Sequence, residues 1–206
     1  PDIMYVNSCM AIIGAICGKL AGAKVLWHIH DITIGILGKA DHNNLNRVIA
    51  KYSDKIVVVS QAVKEGLEET GKLDKTELVY IGVQNPGFTE KELERMNLSI
   101  RMKLSIQKNT PLVAYLGQIS PLKGIDRFIR AAHLISMKDP SARFIIIGDY
   151  NRDVEHTKKL IELIKSLNIE RYIRFVGYYQ NLSEILPAIH CLVVPSAYEE
   201  PFGAIT

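Results

Sequence analysis

The feature that most constrains the fold is a series of eight short apolar segments that alternate with helix-like patterns along the chain. Most of these segments show no alternation of polar and apolar positions, as is typical of strands buried on both faces. Strands that alternate with helices predict right-handed crossovers and parallel sheets, and therefore an α/β fold. The predicted strands are residues 3–7, 24–30, 55–60, 78–83, 112–117, 144–148, 173–178 and 191–196.

The regular alternation stops between residues 84 and 110. An Asn-Pro-Gly turn there precedes a capping box from Thr89 to Glu92 and a mostly polar helix, which indicates a domain boundary. Elsewhere, residues 124–137 and 153–167 carry apolar positions at helical spacing and predict helices that lie on a sheet. We expect two Rossmann-like, doubly wound parallel-sheet domains, both incomplete. The expected division is residues 1–86, a linker and connecting helix at 87–108, and residues 109–206.

Composition excludes several classes of function. The net charge of +3 is nearly balanced and no long run of like charge occurs, so we expect no nucleic-acid partner. Cys9, Cys17 and Cys191 have no metal-binding or redox spacing, and we expect packed thiols in a reducing cytoplasm. The longest apolar stretch is broken by Lys19 and Lys24, which argues against a membrane span.

The loop LGQISPLKGID, residues 116–126, is the first candidate site. In open parallel sheets ligands bind beyond the carboxyl ends of the strands. Lys123 and Gly124 stand at the start of the following helix, where backbone N–H groups and the helix dipole favour an anion such as phosphate. The alternative is a solvated loop lysine beside an ordinary turn glycine.

The segment PSAYEEPFG, residues 195–203, is the second candidate. Pro201 to Gly203 predict the first turn of a helix, and Glu200 lies directly ahead of it. The Glu200 carboxylate could cap this helix, or it could accept hydrogen bonds from sugar hydroxyls. The residues alone leave both open.

Two further strand ends carry polar or aromatic side chains. His28 and His30 share one face of the predicted strand KVLWHIH, and Asp31 could orient an imidazole. Too few other ligands accompany them to favour a metal site, so His30 is better interpreted as a polar contact or acid/base group, and His28 could be a core histidine. After Gly177, Tyr178 could flank a flat base or simply pack.

In this order, these motifs resemble the retaining glycosyltransferases of the GT-B fold, specifically family 4, the glycosyl transferases group 1. The resemblance covers nearly the whole chain and is strongest in GQISPLKG, FIIIGD, FVGYYQN and PSAYEEPFG. The family's second glutamate would stand at position 208, two residues beyond Thr206. We therefore expect an internal fragment that ends inside the donor site and is itself inactive.

The resemblance implies a nucleotide-diphosphate sugar as donor and a saccharide, lipid or small molecule as acceptor, with retention of anomeric configuration and no metal or other cofactor. Lys123 would pair with the diphosphate, and the backbone N–H groups of Phe202 and Gly203 would meet the sugar or the phosphate. The implied catalytic residues are His30 and Glu200. The implied donor-binding residues are Gly117, Gln118, Lys123, Gly148, Tyr178, Glu200, Pro201, Phe202 and Gly203.

Two departures from the family pattern keep alternatives open. Gln118 stands where the family commonly has arginine, and residues 81–84 read Ile-Gly-Val-Gln in place of Asn-Gly-Val-Asp. A non-catalytic nucleotide-sugar-binding GT-B module, a GT-B nucleotide-sugar epimerase and a metal-dependent hydrolase built on HIHD remain alternatives. We expect a cytoplasmic protein, with peripheral contact to the inner face of the cytoplasmic membrane through the apolar residues 32–40 as a further alternative.

Overall fold

A computed structural model describes residues 1–32, 37–68, 74–83 and 85–196. These residues form two compact units, the first within residues 1–83 and the second within residues 85–196. Each unit contains a parallel sheet with helices between its strands. The α/β prediction is therefore confirmed. Among the described residues, no helix combines the length and the apolar character needed to cross a membrane.

The first unit is a four-stranded sheet in which each strand pairs with the next in sequence. Its first three strands lie where apolar segments predict them, and the fourth is displaced. Residues 78–83 were expected to form a strand, but pairing ends at Leu78 and Val79 is already exposed. The elements are β1 (Ile3–Asn7), α1 (Ile12–Leu20), β2 (Lys24–Ile29), α2 (Lys39–Tyr52), β3 (Lys55–Val58), α3 (Gln61–Glu68) and β4 (Thr76–Leu78).

The two faces of this first sheet differ. Val25, Trp27 and Ile29 of β2 are buried on one face, and the Trp27 indole Nε1–H donates to the Ser8 carbonyl at 2.9 Å. Alternate residues point to the opposite face, where Tyr5 is 54% exposed and His28 is half-buried among the described residues. The first sheet therefore buries one face, whereas the absence of polar alternation predicted strands buried on both.

The second unit contains four strands, β5 (Leu112–Leu116), β6 (Arg143–Ile147), β7 (Ile173–Gly177) and β8 (Cys191–Val193). They form a parallel sheet with the strand order β7-β6-β5-β8. The chain builds outward from β5 through β6 to β7 and then returns to the other side of β5. Ligands of open α/β sheets bind where the strand order reverses in this way, which here is between β5 and β8. The α-helices of this unit are α4 (Glu90–Lys103), α5 (Ile125–Lys138), α6 (Val154–Ser166) and α7 (Leu182–Ile185).

Both faces of the second sheet are buried, as expected for a doubly wound sheet. Phe144 and Ile146 of β6 pack in one apolar cluster with Phe128 of α5, whereas Ile145 belongs to a second cluster with Ile100 of α4. Successive residues of one strand therefore enter separate cores, which explains why β6 is apolar throughout. The prediction of a doubly wound sheet is confirmed for this unit.

Helix α4 begins with the predicted capping box. The Thr89 N–H donates to the Glu92 carboxylate at 2.8 Å, and the Glu92 N–H donates to the Thr89 hydroxyl at 3.4 Å. This helix falls in the segment that the sequence assigns to a connection. In the structure its buried side chains, Ile100 and Arg101, pack within the second unit.

The three cysteines are free thiols with different surroundings. Cys9 is buried, whereas Cys17 and Cys191 are exposed, so the expectation of packed thiols is wrong for these two. Cys17 lies on α1 away from the face that buries Ala15 and Gly18, and Cys191 opens β8 at the edge of its sheet.

Candidate functional site

Three glycines follow the carboxyl ends of three neighbouring strands in the second unit, and we call them the glycine row. They are Gly117 after β5, Gly148 after β6 and Gly177 at the end of β7. The Gly117 N–H donates to the Ile147 carbonyl at 3.0 Å, and the Gly148 N–H donates to the Gly177 carbonyl at 3.0 Å. Gly117 and Gly177 are half-buried and carry no side chain, so a ligand could approach the backbone closely at these two positions, whereas Gly148 is buried between them.

Gly148 is required by the packing of the row itself. A Cβ atom at this position would lie 2.2 Å from the Gly117 carbonyl oxygen and 3.2 Å from Cγ1 of Ile119. Ordinary carbon–oxygen contacts are longer by more than 1 Å. Any larger residue would therefore push the loop after β5 away from the end of β6.

The loop after β5 carries the candidate phosphate-binding lysine. The hydroxyl of the buried Tyr115 donates to the Gln118 carbonyl at 2.7 Å, and the Ile119 side chain is buried. These two contacts anchor the loop to the interior of the second unit. A 3₁₀ turn at Pro121–Lys123 follows, and Gly124, at a φ of 66°, lets α5 begin at the next residue. Lys123 therefore lies at the amino end of α5, as the sequence predicts.

A second aromatic residue lies beside the glycine row, in addition to Tyr178, which the sequence suggests. Tyr178 is 74% exposed, whereas Tyr150 packs edge-on against Phe175 with ring centroids 6.3 Å apart. A Cβ atom at Gly177 would lie 3.4 Å from Cε1 of Tyr150. Sequence analysis missed Tyr150, although its place two residues after Gly148 was a usable signal.

The strand β8 brings the chain back beside β5, with Val193 in register with Tyr115. After β8, the Arg127 guanidinium of α5 donates to the Ser196 carbonyl at 3.4 Å. The segment predicted to hold the donor sugar therefore starts next to the loop after β5. Glu200, Pro201, Phe202 and Gly203, like Gln84 of the first half, lie outside the described residues.

In the first unit, His28 of β2 and His30, which directly follows this strand, are hydrogen-bonded to side chains of β1. His30 Nε2 lies 2.8 Å from the Asn7 amide oxygen, and His28 Nδ1 lies 2.5 Å from the Tyr5 hydroxyl. The two imidazole rings are 4.0 Å apart between centroids. Burial lowers the pKa of His28, and the nearby charge of His30 lowers it further. Two adjacent imidazolium cations are therefore disfavoured.

These contacts fix the His30 tautomer. The amide oxygen of Asn7 accepts only, so Nε2 of His30 carries the proton and Nδ1 is left as an acceptor. Asp31, which the sequence suggests as the orienting group, instead accepts from the Cys9 thiol at 3.6 Å. Burial and the Asp31 carboxylate raise the pKa of Cys9 to about 11.

The HIHD motif gains few further ligands from the fold. Within the parts of the chain that the structure describes, no three His, Cys, Asp or Glu side chains are grouped so as to hold a metal ion. His28 and His30 each engage one ring nitrogen with a neutral partner from β1. The arrangement supports hydrogen bonding to a polar ligand better than metal coordination.

We expect that replacing Asn7 with alanine changes the tautomer of His30. Without the amide oxygen, the neutral imidazole loses its preference for a proton on Nε2 and populates both tautomers. Nitrogen-15 NMR of the histidine rings measures this directly. The Asn44→Ala variant, on the exposed side of α2, serves as the control. An unchanged His30 spectrum in Asn7→Ala would contradict the assigned hydrogen bond.

Comparison with known protein families identifies the chain. The sequence model of the family described as "Glycosyl transferases group 1" matches residues 97–205, which is more than half of the chain. The match includes the loop after β5, the glycine row and the segment after β8.

Curated relatives agree with this family. The chain is 24% identical to the N-acetyl-alpha-D-glucosaminyl L-malate synthase of Bacillus anthracis, over 99% of this chain and 52% of that protein. It is 32% identical to the D-inositol 3-phosphate glycosyltransferase of Corynebacterium aurimucosum, over 54% of this chain and 27% of that protein. The chain thus spans about half the length, or less, of these relatives.

Solved structures agree on the fold. The structure of HepE from Anabaena in complex with UDP-glucose superposes with a TM-score of 0.80 at 23% identity, over 99% of this chain and 56% of that chain. Sucrose-phosphate synthase from Thermosynechococcus elongatus gives a TM-score of 0.75 at 19% identity, over 99% and 52% of the two chains. These structures share the fold of this chain over nearly its whole length. The chain therefore belongs to the glycosyl transferases group 1 family and has the GT-B fold of glycosyltransferases.

Proposed function

We propose that the protein is a retaining, hexosyltransferase-type enzyme of family 4, which transfers a sugar from a nucleotide-diphosphate sugar to an acceptor hydroxyl. The observation that carries this proposal is the carboxyl edge of the second sheet, which joins the glycine row to the loop after β5 that holds Lys123 (the lysine loop), and this loop stands where the strand order reverses. The activities for which the relatives are named and the UDP-glucose complex of HepE support the same chemistry.

The positive charge at the end of the lysine loop suits the leaving group. Cleavage of the bond between the sugar and the phosphate places negative charge on the nucleoside diphosphate. In our proposal the ammonium group of Lys123 and the free N–H groups at the start of α5 stabilise that charge. Because these groups are held by the anchored loop, they need little reorganisation during the reaction.

The glycine row would receive the rest of the donor. The N–H groups of Gly117 and Gly148 are used between the strands, so these glycines would shape the floor of the site, with the exposed Gln118 and Tyr178 beside them as donor-binding candidates. We further propose that Glu200 binds sugar hydroxyls, with Pro201, Phe202 and Gly203 completing the site as the family pattern implies. A carboxylate near the anomeric carbon also tolerates the positive charge of an oxocarbenium-like transition state.

We propose, as the family resemblance implies, that His30 contacts the sugar. With Nε2 tied to Asn7, its Nδ1 atom is a neutral acceptor for a hydroxyl group. In this role His30 orients the sugar without adding a positive charge beside a developing cation. His30 and Glu200 are therefore the proposed catalytic pair.

Further parts of the proposal follow from the charge of the site. Lys123 and the α5 terminus can neutralise the diphosphate, so we propose that no metal ion is needed. The acceptor would be a saccharide, a lipid or a small molecule, and nucleic acid would not be a partner. We propose a cytoplasmic protein, with peripheral membrane contact if the acceptor is a lipid. The exposed Gln118, where the family commonly has arginine, favours a binding module without catalysis as the second candidate.

We expect Lys123→Ala to weaken binding of UDP to the full-length protein. Loss of a charge-assisted contact of about 1.5–3 kcal/mol raises the dissociation constant roughly 10- to 150-fold. Isothermal titration calorimetry measures this change. Lys138→Ala, an exposed lysine at the far end of the same helix, should bind UDP normally. Equal affinities for Lys123→Ala and the unmodified protein would remove Lys123 from the donor site.

The function itself is tested by incubating the full-length protein with a panel of nucleotide sugars and candidate acceptors. We expect release of the nucleoside diphosphate to depend on the acceptor, and the anomeric proton signals of the product to have the donor's configuration. An inverted product would overturn the retaining assignment. Donor binding without transfer or hydrolysis would favour the non-catalytic binding module.

A further inference from the structure

A cleft lies in the second unit, at the end of the strands opposite the glycine row. Its volume is about 280 Å³, and it lies between the chain that follows α4 and the amino ends of β6 and β7. Both strands are five residues long, so the cleft and the glycine row are separated by roughly 16 Å of strand. We call it the arginine cleft. It is lined by residues 104–106, 143–145 and 170–174.

The charged side chains of the arginine cleft are mostly cationic. Arg143, Arg171 and Arg174 line it, and Glu170 is the carboxylate among its lining residues. The ion pairs formed within the described parts of the chain involve none of these four side chains. The cleft therefore carries an excess of positive charge that ion pairing within these parts does not neutralise.

Two of the arginines share one aromatic ring. The guanidinium carbon of Arg171 lies 4.7 Å from the centroid of Tyr172, and that of Arg143 lies 5.4 Å from it. The ring attracts each cation, and it places both guanidinium groups at the wall of the same cleft. A bound anion would meet positive charge from both of them.

Backbone contacts fix two of the arginines in place. Arg143 Nη1 donates to the Ala142 carbonyl at 2.8 Å, and Arg174 Nη1 donates to the Leu104 carbonyl at 3.2 Å. A guanidinium has five N–H donors, so each retains others for a ligand. Arg171 makes no hydrogen bond to the residues that the structure describes, and its side chain is exposed.

We propose that the arginine cleft binds a small anion that bears a phosphate group. Guanidinium forks match the oxygen geometry of phosphate, and a cluster of them on fixed anchors gives such a group several charge-assisted hydrogen bonds. The volume is at the lower limit of about 300–1,000 Å³ for pockets that hold drug-sized ligands. It suits a phosphate ester of a short polyol, which occurs both as a free metabolite and as a lipid headgroup.

The test is calorimetric titration of the full-length protein with sn-glycerol 3-phosphate at about 0.15 M salt. We expect saturable binding at one site per chain, weakened about tenfold or more by Arg171→Gln. The controls Arg130→Gln, an exposed arginine on α5, and Lys123→Ala should bind the probe normally. Thermal melting of each variant checks that the fold is kept, and Arg171→Glu provides a second variant at an exposed position.

A parallel arm separates the two sources of phosphate. Co-sedimentation with phosphatidylglycerol vesicles, compared with phosphatidylcholine vesicles, detects binding to a lipid headgroup. Binding that depends on Arg171 in either arm supports the proposal and names the source. Absence of binding in both arms would overturn it, as would equal losses in Arg171→Gln and Arg130→Gln. If Lys123→Ala alone lost the binding of sn-glycerol 3-phosphate, that binding would belong to the donor site, and the proposal would also be overturned.

Discussion

Replacement of Arg101 by methionine is expected to lower the free energy of unfolding by about 4 kcal/mol. Arg101 is only 2% exposed, and burial lowers the pKa of its guanidinium. Its Nε donates to the Asn97 side chain at 2.7 Å, and its Nη2 donates to the Ala188 carbonyl at 3.0 Å. A single side chain therefore ties α4 to the segment just ahead of β8.

The large effect comes from the partners that remain. Nη1 of Arg101 also donates to the carbonyls of Gln107 and Thr110, at 2.8 and 3.0 Å. Methionine fills much of the same volume but donates no hydrogen bonds, so the buried Ala188 carbonyl and these part-buried acceptors would lose their donor. Each such group costs about 1–3 kcal/mol, and the sum is reduced by relaxation and by water entry.

Urea unfolding of Arg101→Met measures this loss. Arg95→Met changes the same residue type on the same helix at an exposed position, and it should alter the unfolding free energy by no more than about 0.5 kcal/mol. A loss below about 1 kcal/mol in Arg101→Met would mean that α4 is held to the second unit by its apolar contacts alone.

Gly148→Ala is expected to destabilise the protein by about 3 kcal/mol and to weaken UDP binding. The new methyl group would lie 2.2 Å from the Gly117 carbonyl oxygen. Backbone on both sides must move to relieve this overlap, because neither group is the end of a flexible side chain. The movement would displace the lysine loop, so stability and ligand binding should fall together.

Gly66→Ala provides the matched control. Gly66 lies within α3, and a Cβ atom there would have no heavy atom within 4 Å. Alanine is favoured over glycine inside a helix by up to about 1 kcal/mol, so this variant should be neutral or more stable. Equal melting temperatures and UDP affinities for Gly148→Ala and the unmodified protein would show that the glycine row is not tightly packed.

The sequence predicts the elements of this fold well where one physical signal dominates. The strand at residues 3–7 and the helices α5 and α6 lie within one residue of their predicted bounds, because apolar periodicity alone determines them. A strand was predicted at residues 78–83, but the strand that forms is Thr76–Leu78. An apolar segment alone does not reveal where its partner strand ends.

The candidate site was less predictable, because it depends on contacts between distant segments. The position of Lys123 at a helix start follows from local turn signals. Asn7 left no comparable signal, since it acts on a residue that is neighbouring only in the folded chain. Arg101 likewise appears as an ordinary surface residue of a polar helix until its partners near β8 are known.

The most direct test of the central claim maps UDP on the full-length protein by amide chemical shifts in nitrogen-15 NMR spectra. The account predicts that the largest shifts fall on Gly117, Gly124 and Gly148, at the carboxyl edge of the second sheet, and that Lys123→Ala reduces them. Shifts confined to the arginine cleft, or a spectrum unchanged by saturating UDP, would contradict it.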